Sequence, residues 1–204
     1  QSYMLASLRP ASLTRLWFPL GATLKRENRA RAAALGLSAA RAPESQEACF
    51  LGGADYRDFL ERHGVRSKAG PIVDGRGREL GRHEGTWRYT TGQRKGLGLG
   101  GSREPMFVVK ADAGTGVVEV GGREALACKS VRCDPGMLHT RDVHGEAKLR
   151  FRSPAVGAAV HACGTGFTLE LDEPVEAVAP GQLAAIYVDD AIIGAGTITT
   201  ATRD

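Results

Sequence analysis

Cys49 lies in a segment whose neighbours could make its thiol reactive. The stretch "PESQEACFLGGADY", residues 43–56, sets it between a polar, acidic approach and a glycine-rich exit that leads into a predicted helix. A thiol is a nucleophile as the thiolate, and helix N-termini or backbone amides lower its pKa. An unpaired cysteine can equally be a small buried hydrophobe. The local sequence therefore supports a nucleophilic and a structural Cys49 about equally.

Two cationic segments could hold nucleic-acid phosphate. In "TGQRKGLGLGG", residues 91–101, glycines surround Arg94 and Lys95, and exposed amides beside positive charges can bind phosphate. The segment is not a P-loop, because GxxxxGK[ST] is absent. "KLRFRS", residues 148–153, predicts a strand that carries Lys148, Arg150 and Arg152 on one face as an electrostatic platform. A solvated glycine turn and the solvated face of a barrel are the alternatives.

Two cysteines and two histidines that lie close together in the sequence suggest a possible zinc site. They are Cys128, Cys133, His139 and His144. A structural zinc site usually opens with a tighter cysteine pair and continues after a much longer gap. We therefore predict no metal site, and a redox or metal-binding role of Cys128 and Cys133 is the weakest alternative. An isolated histidine such as His83 is expected to be structural.

The first third of the chain is predicted to be helical. "LKRENRARAAALG", residues 24–36, follows a possible cap at Thr23 and ends at a glycine, and "DYRDFLERHG", residues 55–64, forms a shorter amphipathic helix. Cys49 would lie in the loop between these helices. Loops on a rigid scaffold often carry reactive groups.

The remainder is predicted to be mainly β. After Gly64, short runs of period-two alternation are separated by glycine turns, which is typical of small barrels or sandwiches. The alternation is lost between Cys128 and Gly145, so we expect a boundary between two β-rich units there.

The composition indicates which kind of partner and which cellular compartment to expect. The 204 residues, 42% of them hydrophobic, can bury a core, and Lys+Arg (27) exceed Asp+Glu (23). A pI near 9.0 favours a polyanion such as RNA. Four cysteines without a CxxC pair fit a reducing cytoplasm. No apolar run reaches the roughly 18 residues of a membrane span, so we expect no membrane partner.

Several motifs together resemble the tRNA-specific 2-thiouridylases over essentially the whole chain. They are "SQEACFLG", "GRHEGTWRYTTGQRKGLGLGG", "EPVEAVAPGQLAAIYVDDAIIGAGTI" and the opening "QSYMLASL" with "FPLG". The resemblance implies an α+β, mainly β fold. It comprises a helical remnant of an adenylating α/β domain at 1–63, a small central β-rich domain at 64–128 and a C-terminal β-barrel at 129–204.

The function implied is sulfur transfer to C2 of the wobble uridine of tRNA. Cys49 matches the family's cysteine that carries a persulfide, and a second cysteine of the N-terminal domain would resolve it as a disulfide. ATP and Mg²⁺ serve the complete enzyme. The partners implied are tRNA and a protein that donates persulfide sulfur, in the cytoplasm.

The same resemblance assigns tRNA contacts to Gln1, Arg150, Phe151 and Gln182, and Arg94 and Lys95 remain candidates for phosphate or tRNA contact. Phenylalanine replaces the more usual tyrosine after Arg150.

Two departures from the family pattern bear on activity. Glu47 replaces a glycine, and its charge would raise the pKa of a nearby thiol. No SGGxDS loop and no partner cysteine precede Cys49. We therefore expect this chain alone to bind no cofactor and to be inactive, and a non-catalytic RNA-binding module derived from the family is the alternative function.

Overall fold

The computed structural model describes residues 2–42, 51, 56–65, 68–100 and 104–203. By packing, the chain divides into two units: Leu8–Val65 forms one, and the first seven residues join everything after Val65 in the other. The helices are α1 (Ser2–Leu5), α2 (Pro10–Leu13), α3 (Lys25–Ala34) and α4 (Tyr56–Arg62). None of the described helices has the length and apolar character needed to cross a membrane.

The unit Leu8–Val65 is helical, as the sequence predicts. α3 ends before Gly36, which has a φ of +68°, and the chain after α4 turns at Gly64. The predicted cap at Thr23 is wrong, because α3 begins one residue later. The free N–H at its start, that of Leu24, donates instead to a carboxylate oxygen of Glu27 at 3.1 Å.

The other unit holds a four-stranded sheet and a closed six-stranded barrel. The sheet has the order β2-β1-β4-β3, from β1 (Gly70–Val73), β2 (Glu79–His83), β3 (Phe107–Asp112) and β4 (Val117–Gly121). The barrel has the order β10-β5-β8-β7-β6-β9, from β5 (Ala127–Leu138), β6 (Val143–Lys148), β7 (Val156–Cys163), β8 (Gly166–Glu176), β9 (Leu183–Val188) and β10 (Ala191–Thr202). The predicted mainly β class with a barrel is confirmed.

The segment after Cys128, in which the sequence loses its alternation, begins with a long strand. Ala127–Leu138 forms one strand of 12 residues, in which Cys128, Val131 and Cys133 are buried. A shift of register between Cys128 and Ser130 changes which side chains face inwards. Inward and outward side chains therefore do alternate, but the register shift offsets them, so a search for a strict period of two misses the strand. The domain limits predicted at 63/64 and 128/129 stay predictions.

The barrel interior is filled by side chains from all six strands. Phe167, Leu169 and Ile186 are fully buried at its centre. Phe167 fits because glycines face it: a Cβ at Gly136 would lie 2.8 Å from the ring. The barrel is thus a packed scaffold, so binding has to use its ends and outer surface.

The sheet has its own core and is joined to the barrel by polar contacts. Ile72, Val108 and Val118 are fully buried between the sheet and the loop that precedes β3. Arg203, beyond the last barrel strand, donates from Nη2 to the carbonyl oxygen of Val109 in β3 at 2.6 Å. That contact fixes the end of the barrel chain against the sheet.

Candidate nucleic-acid interface

Arg150 and Phe151 lie in a turn at one end of the barrel. β6 ends at Lys148, so the predicted continuous strand with three cations on one face is wrong. The side chain of Leu149 is buried, whereas Arg150 and Phe151 are exposed. Ser153 closes the turn, because its backbone N–H and its hydroxyl both donate to the carbonyl oxygen of Arg150, at 3.2 and 3.0 Å. The turn therefore presents a cation and an aromatic ring side by side.

Helix α1 packs against this turn. The rings of Tyr3 and Phe151 have centroids 6.1 Å apart, at an interplanar angle of 45°. The Tyr3 hydroxyl donates to the carbonyl oxygen of Leu183 at 2.6 Å, and Ser2 Oγ lies 3.4 Å from the hydroxyl of Tyr187. Gln1 lies outside the described residues, but the residues that follow it are bound to the barrel.

Gln182 lies at the same end of the barrel. It is half-buried in the loop before β9, and its carbonyl oxygen accepts from the N–H of Ile198 at 2.8 Å. β9 runs antiparallel to β6, with Ala185 opposite Lys148. The start of β9 therefore lies beside the chain that leaves β6 towards Arg150. The barrel brings together Arg150, Phe151 and Gln182 with the helix that follows Gln1.

The electrostatics of this region act on Tyr3. Burial raises the pKa of its hydroxyl, the neighbouring Tyr187 raises it further, and the positive charge of Arg150 lowers it. The guanidinium is thus close enough to influence the phenol. Tyr3 is therefore neutral at physiological pH and acts as a hydrogen-bond donor.

Arg94 and Lys95 lie in a loop that is held in place from both sides. The side chain of Gln93 accepts from the N–H of Thr90 at 3.1 Å and donates to the carbonyl oxygen of Lys95 at 2.9 Å. Leu97 is buried in the sheet core. Both cations are exposed, and Arg94 lines a concavity of about 470 Å³. These contacts hold the loop, and with it two positive charges, in a defined position.

Cys49 and Glu47 lie outside the described residues. Their assignment as sulfur carrier and as a modifier of its thiol pKa therefore stays a prediction.

The described cysteines do not offer a reactive thiol in the barrel interior. Burial raises the pKa of Cys128 to about 11 and that of Cys133 to about 12. Both remain protonated near neutral pH and are poor nucleophiles. Cys163 is exposed. Within the described ranges no three His, Cys, Asp or Glu side chains are grouped to hold a metal ion.

Two of the histidines considered for zinc or structure, His144 and His83, have other partners. His144 is on the outside of the barrel, with Nε2 3.0 Å from a carboxylate oxygen of Asp172. His83 is buried in the sheet, where Nε2 lies 3.0 Å from the carbonyl oxygen of Gly116. The structural interpretation of His83 is thereby supported.

Sequence reasoning did not single out Tyr3 and Tyr187. The opening "QSYMLASL" contains an aromatic residue in an otherwise apolar helix, but no spacing rule connects it to residues near position 150 or 187. Only the paired strands β6 and β9 bring those positions together.

Comparison with known protein families matches all three parts of the chain. Residues 1–53 match the tRNA methyl transferase HUP domain, residues 57–122 the tRNA methyl transferase PRC-barrel domain, and residues 129–198 the Aminomethyltransferase beta-barrel domain.

Curated relatives match nearly the whole chain. It is 41% identical to the tRNA-specific 2-thiouridylase MnmA of Roseiflexus sp. (strain RS-1), over 97% of this chain and 55% of that protein. Identity is also 41% to MnmA of Moorella thermoacetica, over 97% and 57%, and to MnmA of Rhodospirillum centenum, over 98% and 55%. The chain thus spans about half the length of these relatives. With its helical, sheet and barrel parts all matched, the chain belongs to the tRNA-specific 2-thiouridylase family.

Proposed function

We propose that this chain forms part of an enzyme that replaces the C2 oxygen of the wobble uridine of tRNA by sulfur. Family membership supports the reaction class. The observation that carries the proposal is the meeting of α1, the Arg150–Phe151 turn and the Gln182 loop at one end of the barrel. The chain would contribute the sulfur-carrying cysteine and part of the tRNA-binding surface.

The barrel end has the chemistry that RNA binding uses. The exposed guanidinium of Arg150 can neutralise a phosphate, and Arg side chains do so in most nucleic-acid interfaces. The ring of Phe151 is 50% exposed, so one face is available to stack on an unpaired base. Arg94 and Lys95 would add phosphate contacts from the loop before β3. These features support tRNA as the partner.

Cys49 would carry the transferred sulfur. In the proposed reaction the terminal sulfur of a Cys49 persulfide bonds to C2 of the uridine, and the activated oxygen leaves. The thiolate of a second cysteine then attacks Cys49 Sγ. The persulfide S–S bond breaks towards C2, which becomes the C2=S group, and a disulfide joins the two cysteines. A thiol reductant and a persulfide-bearing donor protein would restore Cys49.

Activation of the C2 oxygen would need ATP and Mg²⁺. The part of the chain that the structure describes has no cluster of His, Cys, Asp or Glu suited to a metal ion. The sequence before Cys49 contains no SGGxDS loop. We therefore assign this activation to the part of the relatives that this chain does not span.

The test is a substitution in the complete protein that contains this chain. Cys49→Ser should abolish 2-thiouridine formation, because a hydroxyl cannot carry a transferable sulfur. The tRNA affinity should stay within about twofold of the unsubstituted protein, since no charge changes. Mass spectrometry of tRNA nucleosides measures the first quantity and filter binding the second. Cys163→Ser, which removes an exposed barrel thiol, is the matched control and should leave both unchanged.

One result would contradict the proposal, and another would favour the alternative function. Thiolation retained in Cys49→Ser would contradict the role of this cysteine. A complete, unsubstituted protein that binds tRNA but forms no 2-thiouridine would instead favour a non-catalytic RNA-binding module.

A further inference from the structure

Tyr3 is bound to the barrel by two kinds of contact. Its hydroxyl donates to the carbonyl oxygen of Leu183 at 2.6 Å, and its side chain is only 7% exposed. Beneath α1, Ala185 and Ala195 form a pad of small buried residues with Ala6. Small side chains let a helix approach a sheet closely. The position and orientation of the Tyr3 ring are therefore fixed by the barrel.

Three residues beside Tyr3 belong to the proposed tRNA-contacting set or adjoin it. Phe151 stacks obliquely on the Tyr3 ring at 6.1 Å. Arg150 is near enough for its charge to lower the pKa of the phenol. The hydrogen-bond acceptor, Leu183, directly follows Gln182. Tyr3 thus contacts the residues around the candidate interface while having little surface of its own.

A half-exposed phenylalanine in a turn should bind a ligand more tightly when a neighbouring side chain already holds it in place. Fixing a mobile side chain on binding costs free energy, and a partner that fixes it beforehand removes part of this cost. Tyr3 covers one side of Phe151 and leaves the rest of the ring exposed. The same contact ties the helix after Gln1 to the barrel end.

Resting on the proposed tRNA function, we propose that Tyr3 is a positioning residue. It holds Phe151 and Arg150 in the orientation that tRNA requires and keeps helix α1 beside them. Tyr3 itself does not touch the RNA.

The experiment measures binding of an unmodified tRNA transcript to the full chain by fluorescence anisotropy. Tyr3→Ala should weaken binding about three- to tenfold, as expected for a lost preorganised side chain. Tyr3→Phe keeps the ring and loses only the hydroxyl, so it should remain within about twofold of the unsubstituted chain. If tRNA affinity is lost in Tyr3→Ala and kept in Tyr3→Phe, the ring of Tyr3 is what supports Phe151 and its hydroxyl is not required.

A double-mutant cycle with Phe151 separates positioning from general destabilisation. Phe151→Ala removes the ring that Tyr3 supports, so adding Tyr3→Ala should then cost less than about twofold further. Circular dichroism melting reports whether each variant is folded. If Tyr3→Ala does not fold, Tyr3→Leu fills the apolar site without an aromatic ring and takes its place in the same cycle.

The outcomes distinguish the Tyr3 proposal from the proposed tRNA function on which it rests. Unchanged affinity in the folded Tyr3→Ala or Tyr3→Leu variant would overturn the positioning role, and so would a loss of equal size in the Phe151→Ala background. Absence of tRNA binding by the unsubstituted chain would contradict the tRNA-binding surface assigned to it, and the Tyr3 proposal with it, whereas the sulfur-transfer role of Cys49 is tested separately by Cys49→Ser.

Discussion

At the scale of single residues, burial decides which thiols can react. Cys128 and Cys133 face the barrel interior, and burial raises the pKa of both thiols far above the ordinary value of 9.0. A thiol that cannot ionise cannot carry out nucleophilic chemistry at neutral pH. These two cysteines are barrel core residues and are unsuited to the proposed sulfur transfer.

The same shift predicts how stability depends on pH. The unfolded chain releases these protons near pH 9, whereas the folded barrel retains them to about pH 11 for Cys128. The unfolded state therefore binds fewer protons in this range, and stability falls as pH rises. We expect the free energy of unfolding to fall by up to about 1.4 kcal/mol per pH unit for each buried thiol.

Urea unfolding at about pH 8.5 and pH 10 measures how the free energy of unfolding changes with pH. The upper limit is chosen because tyrosine side chains ordinarily begin to ionise at about pH 10. The slope should be smaller in Cys128→Ala and unchanged in Cys163→Ala, the exposed control. Equal slopes in all three proteins would show that the buried thiol does not couple to folding.

At the scale of elements, the loop carrying Arg94 and Lys95 depends on Gly92. Gly92 has a φ of +86°, and a Cβ there would lie 2.7 Å from Cβ of Ala177 in the barrel part. Its N–H donates to the carbonyl oxygen of Val108 at 2.8 Å, so the backbone cannot shift freely. The loop is therefore fixed where sheet and barrel meet.

Gly92→Ala should be more destabilising than Gly96→Ala. Gly96 also has a positive φ, +76°, but a Cβ there would meet nothing closer than 3.8 Å. Backbone strain alone should cost about 1–2 kcal/mol at either position. The steric clash at Gly92 should add about 1–3 kcal/mol. Urea denaturation midpoints measure the difference, and equal costs would contradict the close approach to Ala177.

At the scale of the whole molecule, charge decides how tRNA would be held. The chain carries a formal net charge of +4, which attracts a polyanion and makes its binding sensitive to salt. Sheet and barrel both contribute exposed cations, namely Arg94, Lys95 and Arg150. A tRNA bound through several of these contacts would release counterions from each.

The affinity of the chain for tRNA should therefore fall steeply with salt concentration. Arg150→Ala should lower the slope of log affinity against log salt by about 1, because one phosphate contact is lost. Arg78→Ala is the control, since its guanidinium is paired with Asp74 at 3.1 Å in the sheet. A flat salt response, or equal slopes for Arg150→Ala and the unsubstituted chain, would contradict the contact assigned to Arg150.

Much of the fold could be predicted because local patterns depend on neighbours in the chain. Helix ends at Gly36 and Gly64 follow from residues that favour a left-handed turn, and alternation after Gly64 predicts β-structure. The same local logic failed at "KLRFRS", where the alternating pattern continues past the end of β6. It also failed at β5, where a register shift conceals the strand.

By itself, the sequence determined the family, the mainly β class and the residue types suited to tRNA. Only the tertiary structure decided that Tyr3 contacts Phe151 and that Cys128 is buried in the barrel core. The physical reason is distance along the chain: Tyr3 and its acceptor Leu183 are 180 positions apart, and closure of the barrel brings them into contact. Local patterning records which faces are apolar, whereas packing between distant strands sets which side chains meet.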